Sequence, residues 1–538
     1  DAAALDSMRV ALGKRGPDGS GVYTDSGVGL VHTRLSIIDS EGGHQPIVDR
    51  KGRVIVFNGE IYNYVEIRAA LESKYPFQTH SDTETILALY DAYGLDFIRH
   101  LRGMYAFALY DPAHQRVVLA RDPFGIKPFY MTETSSFLAF ASEPKALLHA
   151  GYASNDLDMA KLRRIIGQNY THGLQTPYTA IRKLAPGESV VIEQGREVQR
   201  NIRPAISSAG PRPISESEAL DRLDAVLIDT VHVHGRSDVG YGIFLSGGVD
   251  SSTLMQVLSR TERSSAHPVQ AYTAYFDVVG SRDEREHAHA VATATGATCK
   301  DVPFGRDDFD VLLPQIAAYM DDPVADYAIL PTWKLASVAA TEQKVILSGE
   351  GGDELFAGYG RYRPRWWKAR WWRDVWAFQK YADSGRFSSE WSWLQRAQAQ
   401  DISEYLPNDL LVKLDTCLMA HGLEGRTPFL DPVVADFAFT LPDDLKLRGR
   451  TGKYLLKKWL DTRLPEAQPF RKKQGFTVPV GTWMADMGPD LAAALSRHAF
   501  VKEVLTRADI ADLPARLSAP DTAARCWSLL YLTLWAVG

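Results

Sequence analysis

The stretch "FLSGGVDSS" (residues 244–252) ends an apolar run and sets two glycines, three serines and one aspartate into the seven positions from Ser246 to Ser252. Bare amides and hydroxyls at the start of a helix suit an anion, because unpaired N–H groups and the helix dipole point the same way. A phosphate loop of the G-x-x-x-x-G-K-[ST] type would carry a lysine, and none follows these glycines. A cation must come from elsewhere, and Asp250 points to Mg²⁺ held close to phosphates. A second turn, "LSGEGGDELFAGY" (347–359), follows another apolar run and carries Glu350, Asp353 and Glu354. Three carboxylates beside bare phosphates would repel them. With Mg²⁺ between Asp250, Asp353 and a polyphosphate, the arrangement becomes favourable. The plain alternatives are a ligand-free glycine turn and a solvated acidic loop; a lone Gly pair would fit the first, but the two whole strings favour the ligand.

The elements that must position these turns read as two kinds of chain. Residues 1 to about 200 alternate short β-rich runs with turn signals: "VIVFNGEIYN" (54–63), "MYAFALYD" (104–111) and "RVVLARD" (116–122) predict buried strands. "SDTETILALYDAYG" (81–94) predicts a helix with Ser81 or Asp82 near its N-cap. The Pro-, Ser- and Gly-rich stretch 201–220 reads as a linker. Beyond it, "GYGIFLS" (240–246) and "QKVILSG" (343–349) predict parallel core strands, with helical runs such as 284–296 between them. The expected architecture is an α+β first domain (1–200) and a doubly wound α/β second domain (221–538) with a helical C-terminal part. At 538 residues, 45% hydrophobic and 23% charged, the chain exceeds what one core serves. A net charge of −6 points away from a general nucleic-acid binder. Three scattered cysteines form no disulfide or zinc framework and fit a cytoplasmic location. The most apolar late segment, 526–537, is too short to span a bilayer and reads as a buried helix.

The first string resembles the pyrophosphate loop of enzymes that cleave ATP between its α- and β-phosphates. The acidic turn, together with "LEGRTPFLD" (423–431) and "FRKKQGFTVPV" (470–480), resembles the asparagine synthetase family over residues 238–483. That resemblance implies that a carboxylate is adenylated by ATP and that ammonia then displaces AMP. By motif position, Ser246, Gly247, Gly248, Ser251 and Ser252 would cradle pyrophosphate, and Leu245, Ala274, Ser348 and Gly349 would hold the nucleotide. Asp250 and Asp353 would bind Mg²⁺, Lys473 would neutralise phosphate charge, and Glu350 would work near the acyl centre. The bland reading of Lys473 is a surface lysine beside Arg471 and Lys472.

In the first domain, "RGPDGSG" (15–21), "HTRLSIID" (32–39), "NGEIYN" (58–63) and "SDTE" (81–84) resemble the glutaminase domain of N-terminal-nucleophile amidotransferases. The resemblance assigns glutamine binding to Arg34, Ile37, Ile38, Asn58, Gly59, Glu60 and Asp82. Arg34 would clamp the α-carboxylate, Asp82 and Glu60 would take the α-ammonium, and the Asn58 amide with the Gly59 N–H would face the oxyanion. That family uses a cysteine at the mature N-terminus as nucleophile, yet no cysteine precedes Cys299. A leading strand with its cysteine is expected ahead of Asp1. The alternative is a β-lactam-synthetase-like enzyme with an inert first domain and intramolecular amide formation.

"PRWWKARWWRDVWAF" (364–378) holds five of the twelve tryptophans, interleaved with Arg and Lys. Packing is the first expectation for it and an acceptor-binding wall the second; a partner surface and a membrane-surface helix stay open. The reading as a whole is an ATP- and glutamine-dependent ligase making asparagine from aspartate, with ammonia passed internally. The runner-up keeps the chemistry on another carboxylate, in a secondary-metabolite or cell-envelope pathway, and the rival of another class is a non-catalytic scaffold. Partners are small-molecule substrates, with no nucleic acid and no membrane span, and a homodimer stays open.

Overall fold

A computed structural model describes residues 1–25, 27–261, 268–276, 284–363, 388–472 and 478–537. Lys473 and the tryptophan-rich segment 364–378 lie outside the described residues. The first half contains a hairpin of β1 (Gly19–Asp25) and β2 (Val28–Arg34), then β3 (Ile47–Val48), β4 (Val54–Ile61), β5 (Gly103–Asp111) and β6 (Arg116–Arg121). These are followed by β7 (Tyr130–Glu133), β8 (Leu138–Ala141), β9 (Arg182–Lys183), β10 (Glu188–Glu193) and β11 (Arg196–Ile202). Six of them form an antiparallel sheet in the order β11-β10-β6-β5-β4-β3, and β8-β7-β9 form a second sheet.

Alternation along β4 explains the layering. Ile55, Phe57 and Ile61 face Ile86 and Leu87 of the helix Asp82–Tyr93. Val54 and Val56 face the other way, onto Phe129, Met131 and Leu184 at the second sheet. That sheet's Tyr130, Ala139 and Ala141 pack in turn on Leu5 and Met8 of the helix Ala2–Ala11 and on Leu147 of the helix Pro144–His149. The result is a helix–sheet–sheet–helix sandwich, in which the continuous apolar runs of β4 and β5 are buried on both faces. The predicted helix 81–94 forms over Asp82–Tyr93, capped by the Ser81 hydroxyl, which accepts from the Thr83 N–H at 3.2 Å.

Past Ile202 the next regular element is the helix Glu216–His234, capped by Ser215, so the Pro-rich stretch is largely the connection. The second half is built on five parallel strands: β12 (Tyr241–Phe244), β13 (Gln270–Phe276), β14 (Thr298–Phe304), β15 (Val345–Leu347) and β16 (Glu424–Arg426). Their order is β14-β13-β12-β15-β16. The chain leaves β12 to one side for β13 and β14 and later to the other for β15 and β16. The carboxyl ends of β12 and β15 therefore flank the crevice where doubly wound sheets bind ligands. Helices cover both faces: Ile243 and Leu347 face one core, while Ile346 faces another that includes the C-terminal helix Trp527–Trp535. No helix among the described residues is long and apolar enough to cross a membrane.

Candidate active sites

The two turns singled out in the sequence leave adjacent strands at that crevice. Leu245 directly follows β12, its N–H bonded to the Tyr272 carbonyl at 2.9 Å, and Ala274 lies on the neighbouring β13. Gly247 takes φ +69°, a left-handed conformation that glycine adopts without strain. The Ser246 hydroxyl accepts from the Gly248 N–H at 3.2 Å and lies 3.3 Å from the Ser251 hydroxyl. The helix Val249–Thr261 starts there, and the fully buried Ser252 hydroxyl has no hydrogen-bond partner among the described residues. The acidic turn packs against this loop so closely that a Cβ on Gly349 would come within 2.9 Å of the Asp250 Cβ. Ser348, buried, is fixed by its N–H bond to the Arg426 carbonyl at 2.8 Å.

Asp250 and Asp353, 103 positions apart, converge on one cation. The Lys453 ammonium forms an ion pair with Asp250 and lies 2.6 Å from Asp353 Oδ1. Lys453 itself is buried at φ +55°, just before the helix Tyr454–Arg463, and its two carboxylate neighbours outweigh the burial that opposes its charge. Sequence reasoning missed this lysine. Its setting, "RTGKYLL", is an ordinary helix start with no local sign of chemistry. Glu350 is enclosed beside Lys413, Asp326 and Asp353; burial raises its pKa, offset in part by the Lys413 ammonium.

In the first half, all seven residues assigned to glutamine (Arg34, Ile37, Ile38, Asn58, Gly59, Glu60 and Asp82) line one cavity. Arg34 is held by carbonyls rather than by a carboxylate: its guanidinium donates to Ser40 at 3.0 Å, Ile38 at 3.1 Å and Asp39 at 2.6 Å. Asp82 accepts from the Ile61 N–H at 2.9 Å and from the Thr83 N–H at 2.8 Å, which ties the helix start to β4. Gln45, unremarked in the sequence, clamps the residue before Asn58. It accepts from the Phe57 N–H at 2.7 Å and donates to the Phe57 carbonyl at 3.2 Å. Glu60 lines the cavity, but its carboxylate lies 3.0 Å from the Arg426 guanidinium of the second half. Beside Asn58, His32 and Ser142, an apolar slot of about 340 Å³ runs between the two sheets, lined by Val56, Phe107 and Phe129 among others.

Gly59 takes φ +145°, and a Cβ there would lie 2.0 Å from the Met104 carbonyl oxygen. Gly59→Ala must therefore move β4 off β5, at a cost of about 1–3 kcal/mol in backbone strain alone. The expected result is a lower melting temperature together with lost glutaminase activity, read by thermal unfolding and glutamate release. An unchanged melting temperature and rate would show that the strand does not need this glycine.

The halves meet through a buried polar seam. Arg15 pairs with Asp415 at 2.8 Å, Lys183 with Asp322 at 2.7 Å, and Arg102 with Asp431 at 2.9 Å. Arg426 is fully buried: besides Glu60 it binds Glu424 at 2.8 Å and donates to the carbonyls of His234 and Arg236, each at 2.7 Å. The cavity lined by Arg34, Asn58 and Asp82 extends to this seam, where Met419 and Glu424 of the second half form part of its wall.

The family model for asparagine synthase matches residues 222–537, and that for a glutamine amidotransferase domain matches residues 1–202. The glutamine-hydrolysing asparagine synthetase 1 of Bacillus subtilis is 31% identical over 601 aligned residues, covering 99% of this chain and 93% of the relative. A putative glutamine-hydrolysing asparagine synthetase of Mycobacterium tuberculosis is 31% identical at the same coverage. Asparagine synthetase B of Escherichia coli is 29% identical over 91% of this chain and 81% of its own length. Both halves are matched and the relatives align along nearly the whole chain, so the protein belongs to the glutamine-hydrolysing asparagine synthetase family, whose members are ATP-dependent amidotransferase ligases.

Proposed function

We propose that this chain hydrolyses glutamine in its first domain and, in its second, adenylates aspartate with ATP and amidates it with the released ammonia. The observation that carries this reading is β16, which borders both sites. Its Glu424 walls the glutamine cavity, and two residues on, Arg426 contacts Glu60 and holds the Ser348 N–H of the ATP turn. Ammonia set free in the cavity emerges against the synthetase half, and an internal passage is the consequence.

Ser246, Gly247, Gly248, Ser251, Ser252, Ser348 and Gly349 would hold ATP along the crevice, with Leu245 and Ala274 beneath the nucleotide. Asp250 and Asp353 fit a divalent cation, because they already share one positive charge in the Lys453 ammonium. Mg²⁺ bound there would neutralise the pyrophosphate leaving group. Glu350, its pKa raised by burial, is suited to take a proton from the attacking ammonia. Lys473 keeps its role as a phosphate-neutralising cation in this proposal. In the cavity, Asn58 and Gly59 face the oxyanion, Arg34 takes the α-carboxylate and Asp82 the α-ammonium.

The test measures pyrophosphate release with ATP, Mg²⁺ and glutamine, with and without aspartate. Release that depends on aspartate is expected. Release that ignores aspartate but responds to another carboxylate would replace the acceptor, and failure to bind ATP would remove the ligase reading.

Burial pushes Asp82 up to about 6, against the Ile61 and Thr83 N–H bonds that favour its charge. Below that pH it is protonated and no longer pairs with an ammonium. The glutamine KM is therefore expected to rise as pH falls through about 6, approaching tenfold per unit, while the KM for free ammonia shows no such break. A flat glutamine KM across that range would remove Asp82 from the binding role.

A further inference from the structure

We infer that His289, Cys299 and Asp301 form a binding site for a zinc-type divalent cation, which staples the helix Arg285–Thr295 to the outer strand of the synthetase sheet. One ligand atom from each lies within 4.8 Å of the other two. Among the described residues no other three His, Cys, Asp or Glu side chains come together in this way. The backbone sets up the grouping. β14 is the edge strand, and Cys299 and Asp301 are two apart on it, so both side chains leave the same face. Lys300 between them points elsewhere, to Glu342 at 2.6 Å. The helix Arg285–Thr295 packs on β14, and its His289 Nε2 lies 2.8 Å from Asp301 Oδ1.

Imidazole, thiolate and carboxylate together are a donor set suited to zinc, and three protein ligands leave one position for water. Mg²⁺ prefers oxygen donors, so this site is chemically separate from the Asp250 and Asp353 pair. Solvent reaches His289 and Asp301, with side chains 45% and 37% exposed, while Cys299 is half-buried against the core. The staple would also steady the ATP loop. His287, two residues before His289, packs against the Gly247 backbone, its ring 2.8 Å from where a Gly247 Cβ would lie.

The experiment uses the full chain, stripped with a chelator and titrated with Co²⁺ as a spectroscopic probe for zinc, in the presence of excess Mg²⁺. One equivalent of Co²⁺ is expected to produce a thiolate-to-cobalt charge-transfer band, and Zn²⁺ to abolish it by displacement. Cys299→Ser should remove the band, Asp301→Asn and His289→Ala should weaken binding at least about tenfold, and Cys417→Ser should leave it intact. Absence of a thiolate band, its persistence in Cys299→Ser, or its loss to Mg²⁺ would overturn the site. Circular dichroism of each variant separates a lost ligand from a lost fold.

Discussion

Replacing Asp353 by Asn is expected to lower ATP- and aspartate-dependent pyrophosphate release by about 100-fold or more, the scale seen when one element of preorganised charge stabilisation is removed. Glutaminase activity in the same protein should stay near its original value. The expectation rests on the convergence of Asp250 and Asp353 on the Lys453 ammonium, at the crevice between β12 and β15. Two carboxylates around one ammonium leave a net negative charge, which favours a further cation. Asn in place of Asp353 keeps the size and removes one charge, so Lys453 keeps Asp250 as its partner and the turn stays folded. What is lost is affinity for a second, divalent charge when triphosphate arrives. Lys453→Met is the sharper contrast, because it leaves two enclosed carboxylates without their cation, at a cost of about 3–5 kcal/mol in stability. Mg²⁺ should recover part of that loss in Lys453→Met and much less in the double variant with Asp353→Asn. Near-normal pyrophosphate release by Asp353→Asn would show that the two aspartates do not share a metal.

The residues that make this site were legible in unequal degree, and the reason is physical. A glycine-rich turn after an apolar run reports its own conformation, so Ser246 to Ser252 and Ser348 to Asp353 could be placed at strand ends from the sequence. That both ends meet is a property of strand order, which puts β15 beside β12 although β13 and β14 intervene in the chain. Lys453 was invisible because its role comes from a long-range approach and a positive φ rather than from a local pattern. Arg426 lay inside a quoted motif, yet its function as the tie between Glu60 and the Ser348 amide appears only once the halves are docked. The same docking qualifies the assignment of Glu60. The motif gave it to the glutamine ammonium, whereas the structure shows its carboxylate already facing a buried guanidinium.

That qualification shapes the second large effect. With Glu60 engaged by Arg426, Asp82 is the carboxylate in the cavity with no ion pair among the described residues: its oxygens accept two backbone N–H groups, and Ser81 Oγ lies 3.3 Å away. Asp82→Asn should raise the glutamine KM about 100-fold, the equivalent of losing one charge-assisted hydrogen bond of roughly 2–3 kcal/mol. Arg34→Ala should have an effect of the same size on the α-carboxylate side, and Arg34→Lys should recover only part of it, because one ammonium cannot reproduce the three carbonyl bonds that aim the guanidinium. Glu60→Gln should differ in kind, disturbing the seam through Arg426 and changing ATP-dependent steps as well as glutamine use. With ammonium salts in place of glutamine, Asp82→Asn and Arg34→Ala should make product at the native rate. That split separates a binding defect in the first domain from a general loss of structure. Should ammonia-supported synthesis fall in parallel with glutamine-supported synthesis in Asp82→Asn, Asp82 would act in tying the helix start to β4, and its place in the glutamine pocket would be lost.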